Sequence, residues 1–156
     1  MTDEVSVTRE IAAPAEQVWA MVSDVTRMGE WSPENEGAAW LGGATGPHSG
    51  ARFRGTNRIG KRKWKTVATV TEVEPGRHFS FRVALGPIPV ADWSYALEPT
   101  PTGCRLTETW TEQRPGWFKP LTRIATGVAD RPTTNRTGME QTLERLAASA
   151  ESGSQA

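Results

Sequence analysis

The chain has 156 residues, with 18 Lys plus Arg balanced by 18 Asp plus Glu for a formal net charge of zero. That length fits one domain, and the balance argues against a generally basic nucleic-acid binder or an acidic tail. The single cysteine, Cys104, excludes an internal disulfide and fits a reducing compartment.

In chain order, residues 4–12 read as a strand with Val5, Val7 and Ile11 on one face and Ser6, Thr8 and Glu10 on the other. Arg9 falls on the apolar face. Pro14 then opens a helix, where its fixed φ is pre-organised and its missing N–H costs nothing. Val18, Val22 and Val25 recur there at helical spacing. A second short helix is expected over residues 26–31, ending at Ser32-Pro33. Asp24, Glu30 and Glu34 around it read as caps and solvated charges.

Residues 36–41 form a weak strand, and the glycine-rich residues 42–50 a flexible loop, either a flap near a pocket mouth or a passive connection. Residues 51–59 and 64–74 predict a hairpin around Gly60-Lys61-Arg62. Its basic stretch, residues 52–65, reads as a solvated face or protected sheet edge, not a nucleic-acid site. A strand follows at 77–85 with Phe79, Phe81 and Val83 in phase. The segment GPIPV reads as a turn, and residues 91–98 as a strand with Trp93, Tyr95 and Leu97 on one face. After a turn at 99–103, residues 104–112 carry Leu106, Glu108 and Trp110 in phase. An apolar piece at 117–128 reads as an entrance lid, a membrane-touching patch, a partner site or simply packed helix. The last helix spans about 132–150 with Met139, Leu143 and Leu146. Residues 1–150 are expected to be one domain and 151–156 a disordered tail.

This strand-helix-strands-helix order predicts an α+β fold in which an antiparallel sheet curls around the last helix and leaves a hollow. Ligand pockets begin near ~300 Å³. At about 24 cal/mol per Å³, a dry hollow of that size costs roughly 7 kcal/mol, comparable to a whole domain's stability. A hollow is therefore expected to hold water or a ligand. Five of the seven tryptophans, Trp31, Trp64, Trp93, Trp110 and Trp117, are expected to line it, with Phe53, Phe81, Tyr95 and Met139. Alternatively they are ordinary core.

Strand phase turns three polar residues inward. Asn57 shares a face with Phe53, Glu108 shares one with Leu106 and Trp110, and Arg9 shares one with Val7 and Ile11. A carboxylate among aromatics has a raised pKa and suits general acid or base work. Glu108 is thus the first catalytic candidate, with Asn57, Tyr95 and Arg9 beside it. The alternative is structural: if the first and last strands are neighbours, Arg9 pairs with Glu108 or Glu112.

Other catalytic templates are missing. His48 and His78 have no metal-ligand spacing, no G-x-S-x-G elbow occurs, and no Lys-Ser/Thr follows the glycine-rich loop. No metal and no cofactor are expected. The polar N-terminus lacks the apolar stretch of a signal peptide, and no apolar run reaches the ~20 residues of a membrane span. The expectation is a cytoplasmic monomer or weak homodimer without nucleic-acid partners.

The runs IAAPAEQVWAMVSDVTRMGEWSPE, GARFRGTNRIGKRKWKTVATVTEVEPGRHFSFRV and GMEQTLERLAASAE resemble the START-like, or SRPBCC, superfamily, in particular its polyketide cyclase/dehydrase-type members. The resemblance covers residues 5–151. It implies the helix-grip fold, a seven-stranded antiparallel sheet around a long C-terminal helix, and a small hydrophobic or aromatic ligand in a deep cavity. It supplies no catalytic set, so function rests on the site. Three readings follow. The first is a binding protein for an apolar, ring-containing molecule, lipid or polyketide-like. The second is an aromatase/cyclase-type enzyme using an inward carboxylate. The third is a lipid or quinone delivery or protein-interaction module.

Overall fold

Seven strands and four helices follow in the order β1 (Glu4–Ile11), α1 (Ala15–Ser23), a 3-10 turn (Val25–Arg27), α2 (Met28–Trp31), β2 (Asn35–Trp40), β3 (Arg52–Ile59), β4 (Arg62–Glu74), β5 (His78–Leu85), β6 (Ile88–Thr100), β7 (Gly103–Glu112), α3 (Lys119–Thr126) and α4 (Arg131–Ser154). The computed structural model describes residues 3–154. All strands pair antiparallel in one sheet of order β1-β7-β6-β5-β4-β3-β2. Strands β2 to β7 form a meander, and β1 pairs with β7, so the first and last strands are neighbours. The sheet curves around α4 in the helix-grip arrangement.

Local chemistry sets the turns. The β3–β4 tip is the two-residue loop Gly60-Lys61, with Gly60 at φ 60°, a conformation that costs glycine nothing. Gly103 answers a different need: a Cβ there would lie 2.1 Å from the Ile11 carbonyl oxygen. Only glycine lets the start of β7 pass so close to the end of β1. The GPIPV segment differs from expectation. Its turn is confined to Gly86-Pro87, and β6 begins at Ile88, because Ile88 and Pro89 already pair with Leu85 and Ala84.

The two ends of the sheet are filled differently. Beside α1 and the C-terminal half of α4 the core is solid: Val18, Val25, Phe79, Leu106, Leu143, Leu146, Ala147 and Ala150 are all essentially inaccessible. Along α4, Met139, Leu143, Leu146, Ala147 and Ala150 form one apolar stripe at helical spacing. Upstream of Met139 the same stripe continues as Asn135 and Arg131, with Gly138 and Thr142 beside it. These residues are small or polar and do not extend the apolar stripe; Arg131 instead lies over the Trp64 ring of β4, 5.8 Å from its centroid. The helix therefore grips one end of the sheet and leaves the other end open.

Helix α4 runs on through Glu151 to Ser154, anchored where the Glu151 carboxylate accepts from Ala12 N–H at 3.0 Å. The expected tail at 151–156 is therefore helical as far as residue 154, and residues 155–156 lie outside the described residues. The glycine-rich loop at 42–50 joins β2 to β3 at the end of the sheet opposite the β3–β4 tip. It lines no part of the hollow, so the flap expectation fails.

Candidate functional site

The open end encloses a cavity of about 690 Å³ between the concave sheet face, the first half of α4, α2 and α3. Its wall is mostly apolar. On the slope used above, emptying such a volume of all contents would cost more than 10 kcal/mol, so the cavity is a place for solvent or ligand.

Strand register explains the wall. Across four strands, Phe81, Trp93, Trp110 and Val5 stand directly opposite one another. The neighbouring row runs Phe79, Tyr95, Glu108 and Val7. From the other side, Phe53 packs edge-on against Phe81 with ring centroids 5.1 Å apart. Trp31 comes from α2, Trp64 and Asn57 from the facing positions of β4 and β3, and Met139 from α4. Ten of the predicted ligand-binding residues thus line one cavity: Trp31, Phe53, Asn57, Trp64, Phe81, Trp93, Tyr95, Glu108, Trp110 and Met139.

Two predicted site residues do not. Arg9 is exposed although it sits opposite Leu106, its strand β1 being an edge of the sheet. The expected ion pair fails with it. Glu108 faces Val7 across the ladder, and Glu112 is bound by Arg114 instead. Trp117 is 64% exposed and stacks edge-on against Phe118, outside the cavity.

Glu108 is the chemically distinctive group. It is 2% exposed and surrounded by the aromatic row. The Tyr95 hydroxyl donates to its Oε2 at 2.6 Å, while Oε1 has no hydrogen-bond partner. Burial pushes the carboxyl up to about 8, against the opposing pull of the Tyr95 hydrogen bond. At neutral pH it is therefore mainly protonated. Burial first, and the adjacent Glu108, hold the Tyr95 phenol well above its ordinary value, so it remains a donor.

A second polar patch lies on β2–β4. Asn35 Nδ2 donates to Asn57 Oδ1 at 3.3 Å, and Asn57 Nδ2 donates to Thr66 Oγ1 at 3.3 Å. Gly55 makes room for this chain, since a Cβ there would sit 3.2 Å from Asn35 Nδ2. Asn35 Oδ1 and Trp31 Nε1 are buried without partners. Together with Glu108 Oε1, three residues of the cavity wall each carry an unsatisfied buried polar atom.

Charged pairs frame the mouth. The Arg114 guanidinium forks onto both oxygens of Glu112, at 2.8 and 2.6 Å, and donates to Thr122 Oγ1 at 2.6 Å, tying β7 to α3. Burial pushes the Glu112 carboxyl up, but hydrogen bonds and charge from Arg114 outweigh it and hold the group below its ordinary value. Arg131 at the start of α4 donates to Glu34 at 2.9 Å and to Asn135 at 3.2 Å. Sequence reasoning assigned none of Asn35, Thr66, Arg114 and Arg131 to the site. The one available signal was the polar start of the α4 stripe, Arg131 and Asn135, four residues apart and in phase with Met139.

Among the described residues, no cluster of His, Cys, Asp or Glu is placed to hold a metal ion, and no helix is long and apolar enough to cross a membrane.

Comparison with known proteins agrees with this geometry. A family model described as polyketide cyclase / dehydrase and lipid transport matches residues 2–151. Among solved structures, the polyketide cyclase-like protein Cgl2372 of Corynebacterium glutamicum is 36% identical. The match covers 94% of this chain and 88% of that one at a TM-score of 0.61. Protein CV1439 of Chromobacterium violaceum is 19% identical over 96% of this chain and 98% of that one, at a TM-score of 0.70. The di-domain ARO/CYC StfQ of the steffimycin biosynthetic pathway has the same fold at 13% identity and a TM-score of 0.76. That match covers 100% of this chain and 53% of that one. No curated protein matches the chain.

Proposed function

The chain belongs to the polyketide cyclase/dehydrase and lipid transport family, and we propose that it binds a small, ring-containing, largely apolar molecule bearing carbonyl or hydroxyl groups, held between the sheet and α4. The observation that carries this reading is the combination of an aromatic wall with a few polar side chains, among them Asn57, Thr66, Arg114 and Arg131, on one cavity. A pure hydrocarbon matches the aromatic rings alone, whereas a ligand with a few oxygens also suits the polar part of the wall. Native mass spectrometry of the purified protein tests this: a bound species of a few hundred daltons, released by organic solvent, is expected. A protein that emerges empty and takes up no ring compound argues against it.

A second reading, an aromatase/cyclase-type enzyme, is favoured by the Tyr95-bound Glu108 carboxyl in the cavity wall, which burial keeps largely protonated at neutral pH. In an aldol-type ring closure the carbonyl oxygen gains one proton and the attacking carbon loses one. A carboxyl that gives the first and recovers the second completes the cycle. Holding a flexible chain folded in a shaped cavity supplies part of the rate. This reading expects Glu108→Gln to abolish turnover of a polyketide mimic while leaving its binding intact. Equal loss of both marks Glu108 as structural.

A further inference from the structure

Helix α3 is built inside out. Its buried residues are Thr122 and Thr126, and with Ala125 they form part of the cavity wall. Their hydroxyls are satisfied within the helix: Thr122 donates to Lys119 O at 3.0 Å and Thr126 to Thr122 O at 2.8 Å. The solvent face carries Leu121 and Ile124, with Trp117 one turn before. These are 54%, 70% and 64% exposed, the large hydrophobics of the described residues that remain in water. Leu121 and Ile124 are i,i+3 neighbours on α3, and Trp117 stands in the turn that leads into it.

The charge around the stripe has one sign. Lys119 and Arg123 are exposed on the same helix, and Arg62 reaches over from the β3–β4 tip to hydrogen-bond Ile124 O, with exposed Lys61 beside it. No Asp or Glu occurs from residue 113 to 129. Three exposed apolar side chains are far fewer than the roughly 20–30 residues a side of a stable protein interface. A narrow apolar stripe flanked by cations is sufficient for a bilayer surface, which accepts shallow insertion and attracts each cation individually.

We propose that the outer face of α3, with Trp117, docks on anionic lipid bilayers and sets the cavity wall formed by α3 against the headgroup boundary. The polar ties of α3 to the body, Arg114 to Thr122 and Arg62 to Ile124 O, leave its apolar side free for lipid. Docking depends on this surface and not on what fills the cavity, so a failure to find a cavity ligand leaves it standing.

The test is flotation of the full chain with vesicles of phosphatidylcholine containing phosphatidylglycerol, against phosphatidylcholine alone. The protein floats with the anionic vesicles, and binding falls at least tenfold on neutral vesicles or in high salt. Both Leu121→Ser/Ile124→Ser and Lys61→Glu/Arg123→Glu cut binding at least tenfold while their thermal melts stay at the wild-type value. The proposal is overturned if the protein does not float with anionic vesicles, or if both double variants float like wild type. It is also overturned if this face captures an acidic protein while ignoring vesicles.

Discussion

Tyr95 and Glu108 face each other across the β6–β7 ladder, and the phenol donates to one carboxyl oxygen at 2.6 Å while the other oxygen has no partner. The pair sets a buried carboxyl in the cavity wall, between the row of Phe81, Trp93 and Trp110 and the solid core around Leu106.

Glu108 makes stability fall with rising pH. Its folded value, about 8, lies above the ordinary 4.5, so between those values the folded state holds a proton that the unfolded state has lost. The favourable contribution is full below about pH 4.5 and is lost as pH rises through 8, a change of up to about 5 kcal/mol. Glu108→Gln keeps an acceptor for Tyr95 and removes the titration. Denaturant melts across this range should show a flatter profile for the variant and a gain over wild type at pH 8–9.

Tyr95→Phe removes the one hydrogen bond that pulls the Glu108 carboxyl down. The carboxyl of the variant therefore titrates higher than in wild type, read by carbon NMR of labelled glutamate. The fold loses about 1–3 kcal/mol because both carboxyl oxygens are then unpartnered. A downward shift would show that burial is not what dominates the group.

Arg114→Ala leaves Glu112 buried without its fork and unties α3. The loss at pH 7 should be about 3 kcal/mol, as for a broken buried pair. Glu112 has a depressed folded value, so the pair's contribution is present above the ordinary carboxylate range and lost as pH falls through the folded value. The gap between variant and wild type in denaturant melts therefore narrows in acid, opposite in sign to the Glu108 effect.

Much of the wall was legible because strand alternation assigns a face. The positions of Phe53, Phe81, Trp93, Glu108 and Trp110 follow from period-two phase alone. Phase does not assign depth, which is why Arg9, in phase but on an edge strand, ends in solvent. Trp117 failed for a different reason. The amphipathic rule places apolar residues inward, and α3 reverses it by satisfying its inward threonines internally. The polar patch of Asn35, Asn57 and Thr66 depends on pairing across β2, β3 and β4, and one strand read alone cannot show it.

Thr142 tests whether the hollow is kept at the expense of stability. It is buried on α4, lines the cavity, and its hydroxyl only bonds back to Gly138 O at 2.8 Å. Thr142→Leu extends the apolar stripe into the hollow and should raise stability by about 1–2 kcal/mol. The same change should weaken ligand uptake. A destabilised variant would mean the site is already filled.

The most direct measurement is a fluorescence titration of a fused-ring apolar probe into wild type and into Thr142→Trp, whose added ring occupies the hollow. Saturable one-to-one binding that quenches the wall tryptophans, weakened at least tenfold in a folded Thr142→Trp, is the outcome expected of a ligand-holding cavity. Probe binding that is absent, non-saturable, or unchanged when the hollow is filled would contradict it.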